Sequence, residues 1–200
     1  MKAVLVVVGV LLLGLLGLGG CGIGSYNGIV TKDEAATAAW SEIQSQYQRR
    51  YDLIPQLVET VKGAKDFEQS TLAAVVEARA SVGKVTLPSN LPDDPAALKA
   101  LVAAQDQLSG ALSRLLVVAE NYPDLKTSEN FLSLQDELAG TENRINAARI
   151  AFIDRTKEYN AAIRRFPASV VAGMFGFEAR AQLEVPANVT ERPAIDFGGK

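Results

Sequence analysis

Histidine is absent from the 200 residues of this chain, and cysteine and tryptophan each occur once. The lack of histidine removes the commonest general base and the commonest metal ligand, and it rules out a Ser-His-Asp set. A single cysteine excludes a disulfide within the chain and a zinc site built on several thiolates. We therefore predict a protein that is not an enzyme, with no catalytic residues, no metal site and no cofactor.

The overall charge is only weakly acidic. Twenty basic and 23 acidic residues give a formal net charge of −3. A nucleic-acid-binding protein needs clustered lysine and arginine to displace counterions from phosphates, so we expect no nucleic acid partner. Paired carboxylates such as Asp93 and Asp94 fall on predicted loops or polar helix faces, where they indicate solvated surface rather than acid–base chemistry.

The amino-terminal part of the chain is almost free of charge. No charged residue lies between Lys2 and Lys32, and Ala3–Leu18 consists almost wholly of valine, leucine and glycine. A short positive start followed by an apolar run is typical of a signal peptide, and a spanning helix needs about 20 such residues. We predict that residues 1–20 are a signal peptide or a transmembrane segment, with the bulk of the chain on the extracytoplasmic side of a bacterial cell membrane.

The apolar run ends at the only cysteine. Leu18-Gly19-Gly20-Cys21 resembles a bacterial lipobox, in which the thiol receives a diacylglyceryl group and the chain is cut before the cysteine. Fatty acids such as palmitate anchor stably because each buried methylene contributes about 0.8 kcal/mol. We predict lipid attachment at Cys21, followed by a spacer over residues 21–30; an uncut helix with an unmodified cysteine is the alternative.

Apolar residues recur at helical spacing through residues 31–166. Thr31 and Glu34 form a capping box that predicts the start of the first helix, Pro55 predicts a bend, and Gly63 predicts its end. Further helices are predicted over about residues 67–82, after Asp94-Pro95, and from Thr127 or Ser128 to residue 166.

No single helix can bury such stripes alone. We therefore predict an all-α fold, an elongated antiparallel helical bundle of three to four long helices with coiled-coil-like packing. Residues 83–95 are predicted as a loop because they contain three prolines. Residues 167–200 are predicted as an extended carboxyl-terminal tail that packs on the bundle through its phenylalanines.

Two blocks of the sequence, within residues 40–63 and 142–177, resemble the LemA family. The resemblance covers about residues 25–200. It implies a bacterial, helical protein attached to the membrane by an amino-terminal segment, and it carries over no catalytic residue. The matching segments are Tyr26-Asn27, Trp40-Ser41-Glu42, Tyr47-Gln48-Arg49-Arg50, Asp52-Leu53-Ile54-Pro55, the Leu57–Gly63 run, Glu142-Asn143-Arg144-Ile145, Ala148-Arg149, Tyr159-Asn160, Phe166-Pro167 and Phe175-Gly176-Phe177.

Arginines near the apolar stripes are the first group of candidate functional residues. Arg50 or Arg49 must face near the stripe of the first helix, and a buried arginine needs a carboxylate partner. We hypothesise that Arg50 pairs with Glu142 or a neighbour across the bundle and fixes helix register; the alternative is that both arginines lie flat on the surface. The candidate register or partner contacts are Arg49, Arg50, Glu142, Asn143, Arg144 and Arg155, the last placed on the seam of its helix.

Aromatic residues at helical spacing form the second group. Trp40, Tyr47 and Tyr159 either line an aromatic groove or, as is more frequent at this spacing, pack in the core.

These features predict a membrane-tethered, non-catalytic interaction or scaffold protein of the cell envelope. The membrane, through the amino-terminal anchor, and a protein of unknown identity are the expected partners, and self-association is left open. The alternative is a lipid- or small-molecule-binding helical bundle with a cavity near Trp40 and Tyr159. A large apolar cavity there would favour the alternative.

Overall fold

A computed structural model describes residues 2–85 and 94–183, and every regular element within these residues is a helix. The predicted all-α fold is confirmed for this part of the chain. The helices are α1 (Lys2–Lys62), α2 (Gln69–Lys84), α3 (Pro95–Ala119), α4 (Pro123–Lys126), α5 (Glu129–Ala162) and α6 (Ala168–Phe175).

The first helix is one continuous element that begins far before Thr31. The Thr31 hydroxyl donates to the carbonyl oxygen of Asn27 at 2.9 Å, the bond of a residue inside a helix. The predicted helix start at Thr31 and Glu34 is therefore wrong, and residues 21–30, predicted as a spacer, are helical. Glycines lower helix propensity by about 1 kcal/mol each, but no proline precedes Pro55, so nothing forbids the helix.

Other predicted helix ends agree with the structure. Helix α1 continues through Pro55 and ends at Lys62, directly before Gly63. The carboxylate of Asp94 caps α3 by accepting from the backbone N–H of Ala96 at 2.8 Å, with Pro95 at the first helical position. Ser128 precedes α5 as predicted, although α5 ends at residue 162 rather than 166.

Helices α1 and α5 run antiparallel along most of α5. As residue numbers rise on α1, the numbers of their α5 partners fall; the pairs are Lys32 with Glu158, Gln46 with Arg144, and Arg49 with Glu137. Helix α3 runs in the direction of α1. Arg50 on α1 reaches Gln105 in the first half of α3, and beyond the ends of both helices the Tyr122 hydroxyl donates to the Asp66 carbonyl oxygen. Alternating directions of this kind give an up-and-down helical bundle.

One row of buried residues on α1 follows alternating steps of four and three. It consists of Ala36, Trp40, Ile43, Tyr47, Arg50, Ile54, Leu57 and Val61, and Ile29, Leu53 and Val58 of the same helix are buried beside it. This is the spacing of a coiled-coil seam. Arg50 therefore occupies a position that otherwise holds apolar side chains, and the helix cannot turn it to solvent without exposing its neighbours.

The seam of α5 contains one irregular step, which explains a wrong prediction. Its buried positions advance by alternating threes and fours as far as Phe152, and the next two are Thr156 and Tyr159. Two successive steps of four shift the seam by one residue, because an α-helix has 3.6 residues per turn rather than 3.5. Arg155, predicted on the seam, is therefore exposed and pairs with Glu158 at 3.2 Å.

The carboxyl-terminal segment folds back on the start of the bundle. Its first part is the helix α6, so the prediction of an extended tail from residue 167 is wrong there. Gly176 ends α6 with a φ of 72°, a conformation that glycine adopts without strain. Residues 177–183 have no regular structure, and Ala181 and Leu183 are buried in the cluster that contains Trp40. Residues 184–200, and most of the predicted loop at 83–95, lie outside the described residues.

A candidate site at a buried arginine

Arg50 is the only charged side chain among the fully buried residues that the structure describes, with 2% of its surface exposed. Its Nη1 donates to Glu142 Oε2 and to Ser109 Oγ, both at 2.7 Å. Its Nη2 donates to the Gln105 carbonyl oxygen at 3.3 Å and to Gln105 Oε1. An unpaired buried charge costs several kcal/mol. Here α3 and α5 supply the acceptors, so one guanidinium joins three helices.

The ion pair hypothesised from sequence is thus present in the structure. Its two members differ in environment, because the Glu142 side chain is 42% exposed while Arg50 is enclosed. The guanidinium is held from inside the bundle and reaches a carboxylate at the bundle surface. A role of this pair in fixing helix register stays a prediction.

The phenol of Tyr47 lies one turn before Arg50 and shares its surroundings. The Arg50 Cζ is 5.6 Å from the centroid of the Tyr47 ring, within the range of a cation–π contact. Burial raises the pKa of Tyr47 above its ordinary value of 10.0, and the positive charges of Arg149 and Arg50 oppose this rise without cancelling it. Tyr47 is therefore neutral at physiological pH.

Arg49 lies on the outer side of the same helical turn. Its Nη2 is 2.5 Å from Glu137 Oε1 on α5, and the two side chains are 54% and 35% exposed. They border an open polar cleft of about 470 Å³, which we call the Arg49 cleft. Its lining residues are Ser45, Gln48, Arg49, Asp52, Leu53, Gln56 and Glu137. This cleft presents both signs of charge to solvent.

The remaining candidate residues on α5 are less closely connected. Arg144 is exposed and donates from Nε to Gln46 Oε1 at 3.3 Å and from Nη2 to Thr141 Oγ1 at 3.2 Å. Asn143 is exposed on the surface of α5. The structure therefore brings Arg49, Arg50 and Arg144 to the contact between α1 and α5, together with Glu142, and leaves Arg155 further along the helix.

The three aromatic candidates are core residues rather than the walls of one groove. Trp40 and Tyr159 are each 1% exposed, and they belong to separate apolar clusters. The Trp40 ring packs 5.4 Å from Phe152, centroid to centroid. Tyr47 also borders a small cleft of about 250 Å³ with Tyr51. The structure thus favours the packing alternative for these residues.

A second polar cluster fastens the carboxyl-terminal segment, and sequence reasoning missed it. The Asn160 side chain donates to the Arg180 carbonyl oxygen at 2.9 Å and accepts from the Arg180 backbone N–H at 2.8 Å. The Arg180 Nε in turn donates to Asp33 Oδ1 on α1 at 3.2 Å. The Tyr159 hydroxyl donates to the Glu178 carbonyl oxygen at 2.9 Å. The signal was Tyr159-Asn160 itself, two polar groups on an apolar seam.

Gln105 and Ser109 are also absent from the sequence-based candidates. Gln105 lies beside the predicted apolar position Ala104, and Ser109 beside Leu108, so each is polar at the edge of the α3 stripe. Polar residues at such edges are usually solvated. The position of Arg50 on the facing helix brings both acceptors to its guanidinium, where Gln105 is buried and Ser109 is partly buried.

The amino-terminal end of α1 bears the predicted anchor. Cys21 is a free, exposed cysteine on this helix. Among the described residues, no helix combines the length and apolar character needed to cross a membrane. Within residues 2–85 and 94–183, no three aspartate, glutamate, histidine or cysteine side chains lie close enough together to hold a metal ion.

Most of the polar contacts described above fall within a region shared with known proteins. The family model described as "LemA family" matches residues 39–197, which include Arg50, Glu142, Asn160 and Arg180 but not Asp33. The chain belongs to the LemA family. The resemblance seen in the sequence is therefore confirmed over residues 39–197.

Similar curated proteins are all bacterial. Magnetosome protein MamQ of Magnetospirillum gryphiswaldense is 27% identical over 76% of this chain and 62% of its own length. Protein LemA of Metamycoplasma hominis is 26% identical over 75% of this chain and 64% of its own length. Magnetosome protein MamQ 2 of Paramagnetospirillum magneticum is 25% identical over 86% of this chain and 66% of its own length. In each case this chain spans slightly less than two thirds of the relative's own length.

Proposed function

We propose that this LemA family chain is a membrane-tethered, non-catalytic interaction or scaffold protein of the bacterial cell envelope, with its bulk outside the cytoplasm. The observation that carries the proposal is the course of α1. A stretch without charge from Ala3 to Thr31 continues, in one unbroken helix, into the seam that holds Arg50. A tether at this end would therefore hold the whole bundle directly.

The buried polar groups support a structural role rather than catalysis. Acid–base chemistry needs titratable groups that converge on a space for substrate. The Nη1 and Nη2 atoms of Arg50 instead donate to Glu142, Ser109 and Gln105, which belong to helices packed against it. The names of the relatives, LemA and magnetosome protein MamQ, are not enzyme names.

The Arg49 cleft is the proposed contact for a protein partner. It is open, lies on the face formed by α1 and α5, and exposes Arg49 and Glu137 side by side. Charges placed at the rim of an interface steer association and select partners more than they add affinity. A partner with a complementary pair of charges fits this surface.

The alternative of a lipid- or small-molecule-binding bundle receives less support. It requires a cavity near Trp40 and Tyr159, but both side chains are enclosed by packed neighbours. Filled apolar cores of this kind leave no room for a ligand.

The anchor is tested by the intact mass of the full chain purified from native membranes. A mature species that begins at Cys21 and carries acyl groups is the expected result. A species that begins at Met1 with an unmodified thiol would contradict lipid attachment. Recovery of the chain in the aqueous fraction would contradict membrane tethering altogether.

The partner contact is tested by photocrosslinking in native membranes. A photoreactive residue at Gln48, which borders the Arg49 cleft, is compared with one at Val117, which is equally accessible on α3. A saturable adduct at position 48 that Arg49→Glu abolishes is expected, while position 117 gives only background. Equal adducts at both positions would contradict a specific contact at this cleft.

A further inference from the structure

The short helix α6 is apolar on both of its faces. Val171 and Ala172 are buried in a cluster with Ile29 and Tyr159. The opposite face carries Val170 and Met174, which are 55% and 76% exposed. A surface helix of a soluble protein normally turns polar residues outward, and a helix that is apolar all round is normally covered by protein or lipid.

An apolar cleft of about 700 Å³ opens between α6 and the amino-terminal part of α1. The Tyr26 ring forms part of its floor and lies 4.8 Å from the Phe175 ring, centroid to centroid. Large apolar side chains stand exposed around it. We call the following set the tether-end patch: Ile23, Tyr26, Phe166, Val170, Met174 and Phe175.

Charge is absent from both walls of this cleft and present directly beside it. No charged residue occurs in residues 3–31 or in residues 166–177. Arg164 and Arg165, both exposed, come immediately before Phe166. Exposed apolar and aromatic side chains next to arginines suit a lipid interface, where the former enter the headgroup–acyl boundary and the latter meet anionic headgroups.

Cys21 also borders the cleft, on the same side as Ile23. It precedes Tyr26 by about 8 Å along the helix axis, at 1.5 Å per residue. Interfacial segments bury their apolar faces about 5–10 Å deep. A tether at Cys21 therefore places the patch within reach of the same bilayer.

We propose that the tether-end patch is a second membrane contact, which inserts into the headgroup–acyl boundary of the bilayer that holds the tether, with Arg164 and Arg165 on anionic headgroups. The proposal rests on the proposed tether. It adds that α6, more than 140 residues after the anchor in sequence, touches the membrane as well. Two contacts at one end would set the orientation of the bundle, which a single anchor leaves free.

The test uses the full chain reconstituted in phosphatidylcholine–phosphatidylglycerol vesicles whose acyl chains are brominated near the headgroup. Bromine quenches tryptophan on contact. The one native tryptophan, Trp40, is buried in the core and provides an unquenched baseline. Met174→Trp places a probe in the patch, and Val117→Trp is the matched control because that residue is also exposed but lies on α3.

We expect Met174→Trp to lose most of its added emission in brominated vesicles and Val117→Trp to lose none. Val170→Trp is the second patch variant, should Met174→Trp disturb the fold. Adding Arg164→Gln and Arg165→Gln should reduce the quenching, and more so in vesicles that contain phosphatidylglycerol than in pure phosphatidylcholine.

Vesicle flotation separates the possible failures. A chain that floats but shows no quenching at positions 170 and 174 overturns the second contact and leaves the tether intact. A chain that does not float contradicts the tether and the second contact together. Patch residues that crosslink to a second copy or to another protein, without quenching, would overturn the bilayer as their partner.

Discussion

The middle of the bundle and the end that carries the tether-end patch differ in which side chains they bury. The middle buries a charged side chain, and the tether end exposes apolar ones. Around Arg50, a charged side chain is enclosed and every contact is directional, with donors and acceptors on different helices. Around Met174, apolar side chains stand exposed and contacts have no fixed partner. We predict that the first arrangement favours one alignment of the helices, because a shifted alignment would separate the guanidinium from its acceptors on α3 and α5. The second arrangement suits contact with a fluid bilayer, because apolar contact does not require partner groups at fixed positions.

The largest expected effect is at the buried arginine. Arg50→Ala removes the charge, leaves a cavity on the seam and leaves Gln105 Oε1 without the donor that Arg50 supplies. We therefore expect the free energy of unfolding to fall by about 3–5 kcal/mol. Urea denaturation of the full chain in detergent, followed by circular dichroism at helical wavelengths, measures it.

A paired variant separates stability from alignment. Replacing both partners by apolar residues, as in Arg50→Met with Glu142→Leu, often restores stability at a buried ion pair. We expect most of the lost stability to return while the alignment of α1 against α5 becomes less uniform, as reported by distances between spin labels on the two helices. If the double variant shows one distance between the spin labels, equal to that of the native chain, the pair does not fix the register of α1 against α5.

The next effect is a pH dependence at Tyr47. Because burial raises the pKa of this phenol in the folded chain, the unfolded chain loses its proton first as pH rises. The contribution to stability is complete below about pH 10 and declines above it, by at most about 1.4 kcal/mol per pH unit. Unfolding free energies measured above and below this pH should fall more steeply for the native chain than for Tyr47→Phe; parallel curves would contradict the shift.

A smaller effect is expected at Arg49, one residue from Arg50. Its pair with Glu137 is partly exposed, and such pairs are worth about 0–1 kcal/mol. Arg49→Ala should therefore barely change stability in the same denaturation experiment, in contrast to Arg50→Ala. Similar losses for the two variants would mean that the difference in burial does not govern this region.

The smallest effect on folding is expected at the tether end. Met174→Gln alters an exposed side chain, and surface changes of this kind usually stay within about 0.5 kcal/mol. Thermal unfolding of this variant in detergent should match that of the native chain. A loss of more than about 1 kcal/mol would show that the Met174 side chain contributes to the folded core and that the two regions are less different than proposed.

Much of the bundle follows from local patterns that sequence reasoning can use. The apolar stripes of α3 and α5 and the Asp94-Pro95 helix start depend on spacing and capping within one segment. The same reasoning suggested Arg50 and Glu142, because a charge that interrupts a seam needs an acceptor. The family resemblance rests on Tyr26-Asn27 and on segments within residues 40–63 and 142–177, which include Arg50 and Glu142 but no part of α3.

What sequence reasoning missed depends on contacts between distant segments. The glycines after Cys21 predicted a spacer, yet Tyr26 and Ile29 pack against α6 and the segment after it, about 145 residues later, and remain helical. The second polar cluster likewise joins Asp33, Asn160 and Arg180 from three parts of the chain. Arg155 was misplaced because one irregular step in a long seam cannot be located from one helix alone.

Because α1 is one continuous helix, it also sets the distance between the proposed anchor and the rest of the bundle. A spacer of glycine and serine would let the bundle sample any height above its anchor, whereas a single helix fixes that height. From Cys21 to Arg49 the helix axis rises by about 42 Å, at 1.5 Å per residue. With the tether at Cys21, the Arg49 cleft would stand at a set distance from the membrane, so that only partners presenting their charges at that level could engage it.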